Sequence, residues 1–167
     1  MNTRHTVAVS PLGPLTLVAD GDSALTGVYF KGHLRGPRPE ALGPREDAGF
    51  EEATRQLREY FAGERTGFDL PLAPRGEEFD RTVWALVARI PYGQTRTYGE
   101  LARELGDPHL AQAVGAANGR NPLSVIVPCH RVVGADGGLT GYAGGLPRKR
   151  FLLELETPAE ARAARLF

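Results

Sequence analysis

The chain has 167 residues, 41% of them hydrophobic and 24% charged, enough for one good core or for a small domain packed on a larger one. Its 20 basic and 20 acidic residues leave no net charge, which argues against a protein that coats nucleic acid by charge alone. A single cysteine excludes an intrachain disulfide and fits a reducing compartment. No apolar run approaches a membrane span, and the N-terminus lacks the apolar block of a signal peptide, so a cytoplasmic protein is expected.

In chain order, Thr6–Ser10, Leu15–Asp20 and Ala24–Phe30 are short β-rich runs. The turn signals Pro11-Leu12-Gly13-Pro14 and Gly21-Asp22-Ser23 separate them and predict a small antiparallel meander. Residues 31–49 hold four glycines and three prolines and read as a loop. Phe50, Ala53, Leu57, Tyr60 and Phe61 then recur at helical spacing, and Gly63 closes that helix. Leu70–Gly76 is the expected linker, which divides the chain into an N-terminal domain, 1–75, and a C-terminal domain, 76–167.

The second part opens with an amphipathic helix carrying Phe79, Val83, Trp84, Val87 and Ile90. Thr97-Tyr98-Gly99-Glu100 is a capping box, and Gly106 stops the short helix it starts. Asp107 as N-cap and Pro108 in the first turn begin another. A tight break between two short helices is the pattern of a helix-turn-helix. The second helix is expected to turn Leu110, Ala113, Val114 and Ala117 inward. Gln112, Gly115, Ala116 and Gly119 would face outward. That small outer stripe fits two things equally: the narrow minor groove of DNA, or close packing on the protein itself.

The richest stretch is Pro128-Cys129-His130-Arg131. An apolar run, Val125-Ile126-Val127, leads in and reads as a buried strand; a glycine-rich loop, Gly134–Tyr142, leads out. A cysteine beside an imidazole favours the thiolate, which is the reactive form. Neighbours on a strand point to opposite faces, so direct Cys129–His130 contact would need a bend here or an intervening water. Basic residues collect in this part: residues 89–150 hold eight basic and four acidic side chains. The four histidines are scattered and no zinc or phosphate-loop pattern is present, so neither metal nor cofactor is expected.

These residues resemble the O6-alkylguanine-DNA alkyltransferases, also called methylated-DNA–protein-cysteine methyltransferases. The likeness rests on Pro128-Cys129-His130-Arg131-Val132-Val133 after Val125-Ile126-Val127, on Asn121-Pro122, and on Gly141-Tyr142-Ala143-Gly144-Gly145-Leu146. Ile90-Pro91-Tyr92-Gly93, Tyr98-Gly99-Glu100-Leu101-Ala102, Ala113-Val114-Gly115 and Arg150–Glu156 extend it over residues 79–156. Ser10–Thr16 carries it more loosely into the first domain.

The resemblance implies an α/β N-terminal domain with a small antiparallel sheet, and a mainly α C-terminal domain with a helix-turn-helix. It implies direct reversal of damage in duplex DNA carrying O6-alkylguanine, with O4-alkylthymine as an open second lesion. The base would be flipped from the minor-groove side, and the alkyl group moved irreversibly and stoichiometrically to Cys129. His130 would be the base, acting through a water, and Glu156 the carboxylate orienting it. Tyr98, Asn121, Tyr142 and Lys149 would surround the lesion. Gln112, Gly115, Ala116, Arg120 and Arg131 would contact DNA, with Gln112 standing where family members usually have an arginine that enters the base stack. Ala143 replaces a serine of some members. A monomer in solution is expected, with cooperativity on DNA open. A Cys-His hydrolase and a module that only flags lesions remain the competing readings.

Overall fold

The computed structural model describes residues 3–33 and 36–158. Its first element is a three-stranded antiparallel sheet in the order β1-β2-β3: β1 Arg4–Ala8, β2 Leu15–Ala19 and β3 Leu25–Phe30. β1 begins and ends two residues earlier than its sequence pattern suggests, leaving Val9 96% exposed. The reason is the turn itself. The Ser10 hydroxyl accepts from the Leu12 N–H and donates to the Gly13 carbonyl, and Gly13 takes φ 99°, so the reversal has begun by Ser10. At the next turn, Asp20 Oδ1 accepts from the Asp22 and Ala24 N–H groups.

β1 is tied to the loop after the sheet, through His5 N–H to the Pro44 carbonyl and Glu46 N–H to the His5 carbonyl. β3 receives two segments along its other edge. Leu25 pairs with Pro71 and Ala73, so the expected linker is hydrogen-bonded to the sheet. Val28 N–H donates to the Pro122 carbonyl at 2.8 Å, and Ser124 N–H to the Val28 carbonyl at 3.3 Å. The segment just before the cysteine is therefore held by the N-terminal sheet.

Helix α1, Glu51–Phe61, buries Ala53, Leu57 and Tyr60, as the apolar spacing predicts. α2, Glu78–Ala88, buries Val83, Trp84 and Val87. α3, Tyr98–Glu104, starts with the full capping box of Thr97 and Glu100. A short 3-10 turn capped by Asp107 leads to α4, Ala111–Gly119. The Trp84 indole N–H donates to the Ala117 carbonyl at 2.8 Å and fastens α2 to α4. α4 buries Val114, Ala117 and Asn118. Ala113 is exposed, against expectation, because the buried stripe runs one residue later around the helix. Two strands of two residues each, β4 Arg96–Thr97 and β5 Val132–Val133, form a parallel pair too short to show in the sequence. α5, Leu146–Glu156, is the last helix among the described residues. One continuous apolar core joins the sheet, α1, the C-terminal helices and the cysteine segment. Among the described residues no helix is long and apolar enough to cross a membrane.

Candidate active site

Val125–Val127 forms a turn, and Cys129 opens a 3-10 helix, Cys129–Arg131, instead of ending a strand. The chain reverses through Val125 at φ 73°, a left-handed conformation that a β-branched residue avoids at a cost on the order of 1–3 kcal/mol. Asn121 holds this reversal. Its Oδ1 accepts from the Leu123 N–H at 3.0 Å and its Nδ2 donates to the Val127 carbonyl at 2.9 Å. Asn118, on the buried face of α4, donates to the Cys129 carbonyl at 3.2 Å. Its spacing of four from Val114 put an amide on the buried stripe, which was the available signal for it.

Because Cys129 and His130 lie in a 3-10 turn, the alternation of a strand does not separate them. His130 is fully buried. Its Nε2 lies 2.8 Å from Glu156 Oε2 on α5. Burial pushes the Glu156 carboxyl up, but the hydrogen bonds and charges of His130 and Arg131 outweigh it and hold the group down at about 2. Glu156 is thus ionised and can only accept, so His130 Nε2 carries the proton and Nδ1 is a bare lone pair. Nδ1 has no hydrogen-bond partner among the described residues. Burial also lowers the imidazole below its ordinary 6.5, and Glu156 offsets only part of this. The histidine is a neutral base with its free nitrogen inside the protein.

The thiol contradicts one expectation. Cys129 is 4% exposed, and burial raises its pKa; the Asn121 side chain and the Lys149 charge oppose this without overcoming it. The resting form is therefore the thiol, and a base must remove its proton when the substrate arrives.

Two cations of this region face inward. Arg131 is buried, with Nε 2.7 Å from Glu156 Oε1, Nη2 2.8 Å from Oε2, and Nη1 donating to the Ile90 carbonyl at 2.6 Å. A DNA phosphate would have to compete with that bidentate pair for Arg131. Lys149 Nζ donates to the Val132 carbonyl at 2.7 Å and the Thr140 carbonyl at 2.8 Å. It clamps the glycine-rich loop to β5 beside Cys129, and burial lowers its pKa to about 8.

A cavity of about 530 Å³ opens between α4 and this loop, walled by Tyr98, Gly115, Gly119, Tyr142 and Ala143. Tyr98 bonds Thr140 Oγ1 at 2.6 Å, joining the start of α3 to the loop. Cys129 does not itself line the cavity. Burial raises the Tyr142 pKa well above its ordinary value, so the phenol stays protonated. Gly144 admits the approach of Phe30 and Tyr142, since a Cβ there would meet their rings at 2.7 and 2.8 Å. Gln112 and Ala116 are exposed on α4, and Gly115 is half-buried beside Tyr98. Arg120, at the end of α4, gives a bidentate pair to Asp80 of α2, at 2.7 and 3.0 Å, and its side chain stays 43% exposed. Among the described residues no group of three His, Cys, Asp or Glu side chains is placed to hold a metal ion.

Comparison with known proteins matches two family models to this chain. Residues 3–74 match the 6-O-methylguanine DNA methyltransferase ribonuclease-like domain, and residues 78–158 match the DNA binding domain of the same family. A methylated-DNA–protein-cysteine methyltransferase of Methanosarcina acetivorans is 49% identical over 152 residues, covering 91% of this chain and 97% of the relative. One from Mycobacterium bovis is 52% identical over 147 residues, covering 88% of each. The crystal structure of the Mycobacterium tuberculosis O6-methylguanine methyltransferase superposes with a TM-score of 0.85 at 46% identity, covering 97% of this chain and 99% of that one. The same organism's protein in complex with DNA gives 0.85 at 51% identity, covering 92% of each chain. With both parts matched and the thiol, imidazole and carboxylate in place, the chain belongs to the methylated-DNA–protein-cysteine methyltransferase family.

Proposed function

We propose that the protein repairs O6-alkylguanine in duplex DNA by moving the alkyl group onto Cys129 Sγ, once per molecule. The observation that carries this is the ionised Glu156 holding His130 Nε2–H, which leaves Nδ1 bare in the interior one residue from the buried thiol. On this reading Nδ1 takes the thiol proton through a water as the lesion enters. The thiolate attacks the saturated carbon, the carbon–oxygen bond breaks, and the electron pair leaves with guanine O6. Tyr98 meets the charge growing on the departing base, and the proton lost by sulfur is returned to guanine. The product is a thioether, which water does not readily cleave, so there is no second turnover.

A hydrolase reading fits less well. An acyl-transferring cysteine needs donors for an oxyanion, and the backbone N–H at the nucleophile is a frequent one. Here the Cys129 N–H is already given to the Val127 carbonyl at 2.7 Å. Displacement at a saturated carbon needs no such donor.

DNA would be met by α3 and α4 acting as a helix-turn-helix, with the small residues Gly115 and Ala116 letting α4 approach the minor groove and the flipped base entering the cavity beside Tyr98. Incubation with a duplex carrying O6-methylguanine tests the function. The protein's mass should rise by one methyl group on the peptide bearing Cys129, and transfer should stop at one equivalent. Release of many products per protein, or an unmodified yet titratable thiol, would refute the reading.

Gln112 supplies the second test. Exposed on α4, it has no charge to offer a phosphate or a base face. Gln112→Arg should tighten binding to lesion duplex about 2- to 5-fold, the size of one exposed cation–π contact, and steepen its salt dependence. Unchanged affinity and unchanged transfer rate would remove Gln112 from the DNA face.

A further inference from the structure

Glu156 has a fourth donor that comes from the other domain. Tyr60, on α1, points its hydroxyl at Glu156 Oε2 from 2.5 Å, across 96 residues of sequence. Tyr60 is fully buried, its ring packed between Phe61 and Phe68 at 5.3 Å and near Tyr92 at 6.3 Å. Among the described residues it is the only side chain of the N-terminal domain that hydrogen-bonds the His130–Glu156 pair. A phenylalanine would fill the same apolar space. Burying a hydroxyl costs free energy unless a partner receives it, and here the partner is the carboxylate that orients His130. Burial and the Glu156 charge push the phenol's pKa far up, so it remains a donor at every working pH.

We propose that Tyr60 is a positioning residue for alkyl transfer: its hydroxyl shares Glu156 Oε2 with His130, and so the N-terminal domain sets how strong a base His130 is. The inference rests on His130 acting as the base. Oε2 accepts from Tyr60, His130 Nε2 and Arg131 Nη2 together. Each donor draws off charge that the others would feel. Without the phenol, more negative charge faces the imidazole, the imidazolium is favoured, and the histidine becomes protonated at higher pH. The other groups facing His130 are Lys149 and Glu156 from α5, Arg131 from its own turn, and the adjoining Cys129 thiol, with the Tyr92 phenol beyond Tyr60. Tyr60→Phe leaves all of them in place.

The test is the pH profile of single-turnover transfer from an O6-methylguanine duplex, run on the full chain. The unmodified protein should lose rate only at a pH below the ordinary 6.5 of an imidazole, because burial holds His130 below that value. Tyr60→Phe should move that acid limb up by about half a unit to one unit, slowing transfer on the limb about 3- to 10-fold and leaving the alkaline plateau unchanged. Phe61→Leu loosens the packing around Tyr60 without touching its hydroxyl, and should lower the melting temperature with no movement of the limb. Ring 15N shifts of His130, read without DNA, should show the Nε2–H form in the unmodified protein and a raised titration midpoint in Tyr60→Phe.

A limb and ring shifts unmoved in Tyr60→Phe overturn the proposal and leave the alkyl-transfer reading intact. An equal movement of the limb in Phe61→Leu also overturns it, because packing would then be the cause. If the limb survives in His130→Gln, the base lies elsewhere, and the roles given to His130 and Tyr60 fall together while alkyl transfer stands.

Discussion

Cys129→Ser should abolish alkyl transfer outright while binding to the lesion duplex is retained. The substitution nearly conserves volume, so the turn closed by Asn121 and Asn118 has little reason to rearrange. What changes is the nucleophile. A hydroxyl is far harder to deprotonate than a thiol, and the oxygen is the poorer nucleophile toward a saturated carbon. The site gives serine no added help. Burial already raises the pKa of the thiol, and it would penalise an alkoxide more. His130 is a weakened base, kept neutral by burial, able to take a proton from sulfur but badly matched to an alcohol. No methyl should appear on the variant protein by mass after exhaustive incubation, and its affinity for the duplex should lie within about 2-fold of the unmodified protein, since the swap at this buried position nearly conserves volume. Residual transfer at even a hundredth of the normal rate would mean that another atom accepts the alkyl group.

What the sequence discloses about this site depends on how local the cause is. The capping box of Thr97 and Glu100 and the Asp107 cap are legible because donor and acceptor lie within three residues. The amphipathic helices are legible because one face repeats. Val125-Ile126-Val127 misleads for a physical reason: a short apolar run looks the same whether it forms a buried strand or a buried turn. Nothing in a valine signals the left-handed φ that this turn imposes on Val125. Arg131 misleads because charge reads as surface, and Lys149 is placed near the lesion by the family resemblance alone. Both are buried by acceptors far along the chain: the Glu156 carboxylate for one, the Val132 and Thr140 carbonyls for the other. Tyr60 looks like one more apolar position of α1, and its hydroxyl acquires a purpose only when α5 brings Glu156 to it. Glu156 itself was reachable, through its spacing from Leu152 on α5 together with the family resemblance.

The same dependence makes Glu156 the most damaging position to empty. Glu156→Ala should destabilise the fold by about 3–5 kcal/mol, the range for breaking a buried ion pair by removing one partner. Arg131 would be left buried without a counter-charge, holding the Ile90 carbonyl and the Tyr92 ring face, and the hydroxyl of Tyr60 would lose its acceptor. Transfer should fall at least 100-fold, because nothing would then fix the proton on His130 Nε2 and keep Nδ1 bare for the thiol; about 2.7 kcal/mol of barrier corresponds to that factor. Glu156→Gln retains the shape and one acceptor oxygen but no charge, and should lie between the two proteins in stability. The pH dependence separates charge from packing. The Glu156 carboxyl is held at about 2 in the fold, below its ordinary 4.5, so its contribution is complete above pH 4.5 and drains away as the pH falls toward 2. His130 is also depressed in the fold, below 6.5, so its neutral burial begins to cost stability as the pH drops under 6.5. The unmodified protein should therefore weaken in two stages on acidification, and Glu156→Gln should lack the lower one. Urea midpoints measured from pH 8 down to pH 3 read both stages. A loss under 1 kcal/mol at pH 7 for Glu156→Ala, or an unaltered acid profile for Glu156→Gln, would show that this carboxylate does not hold the site together.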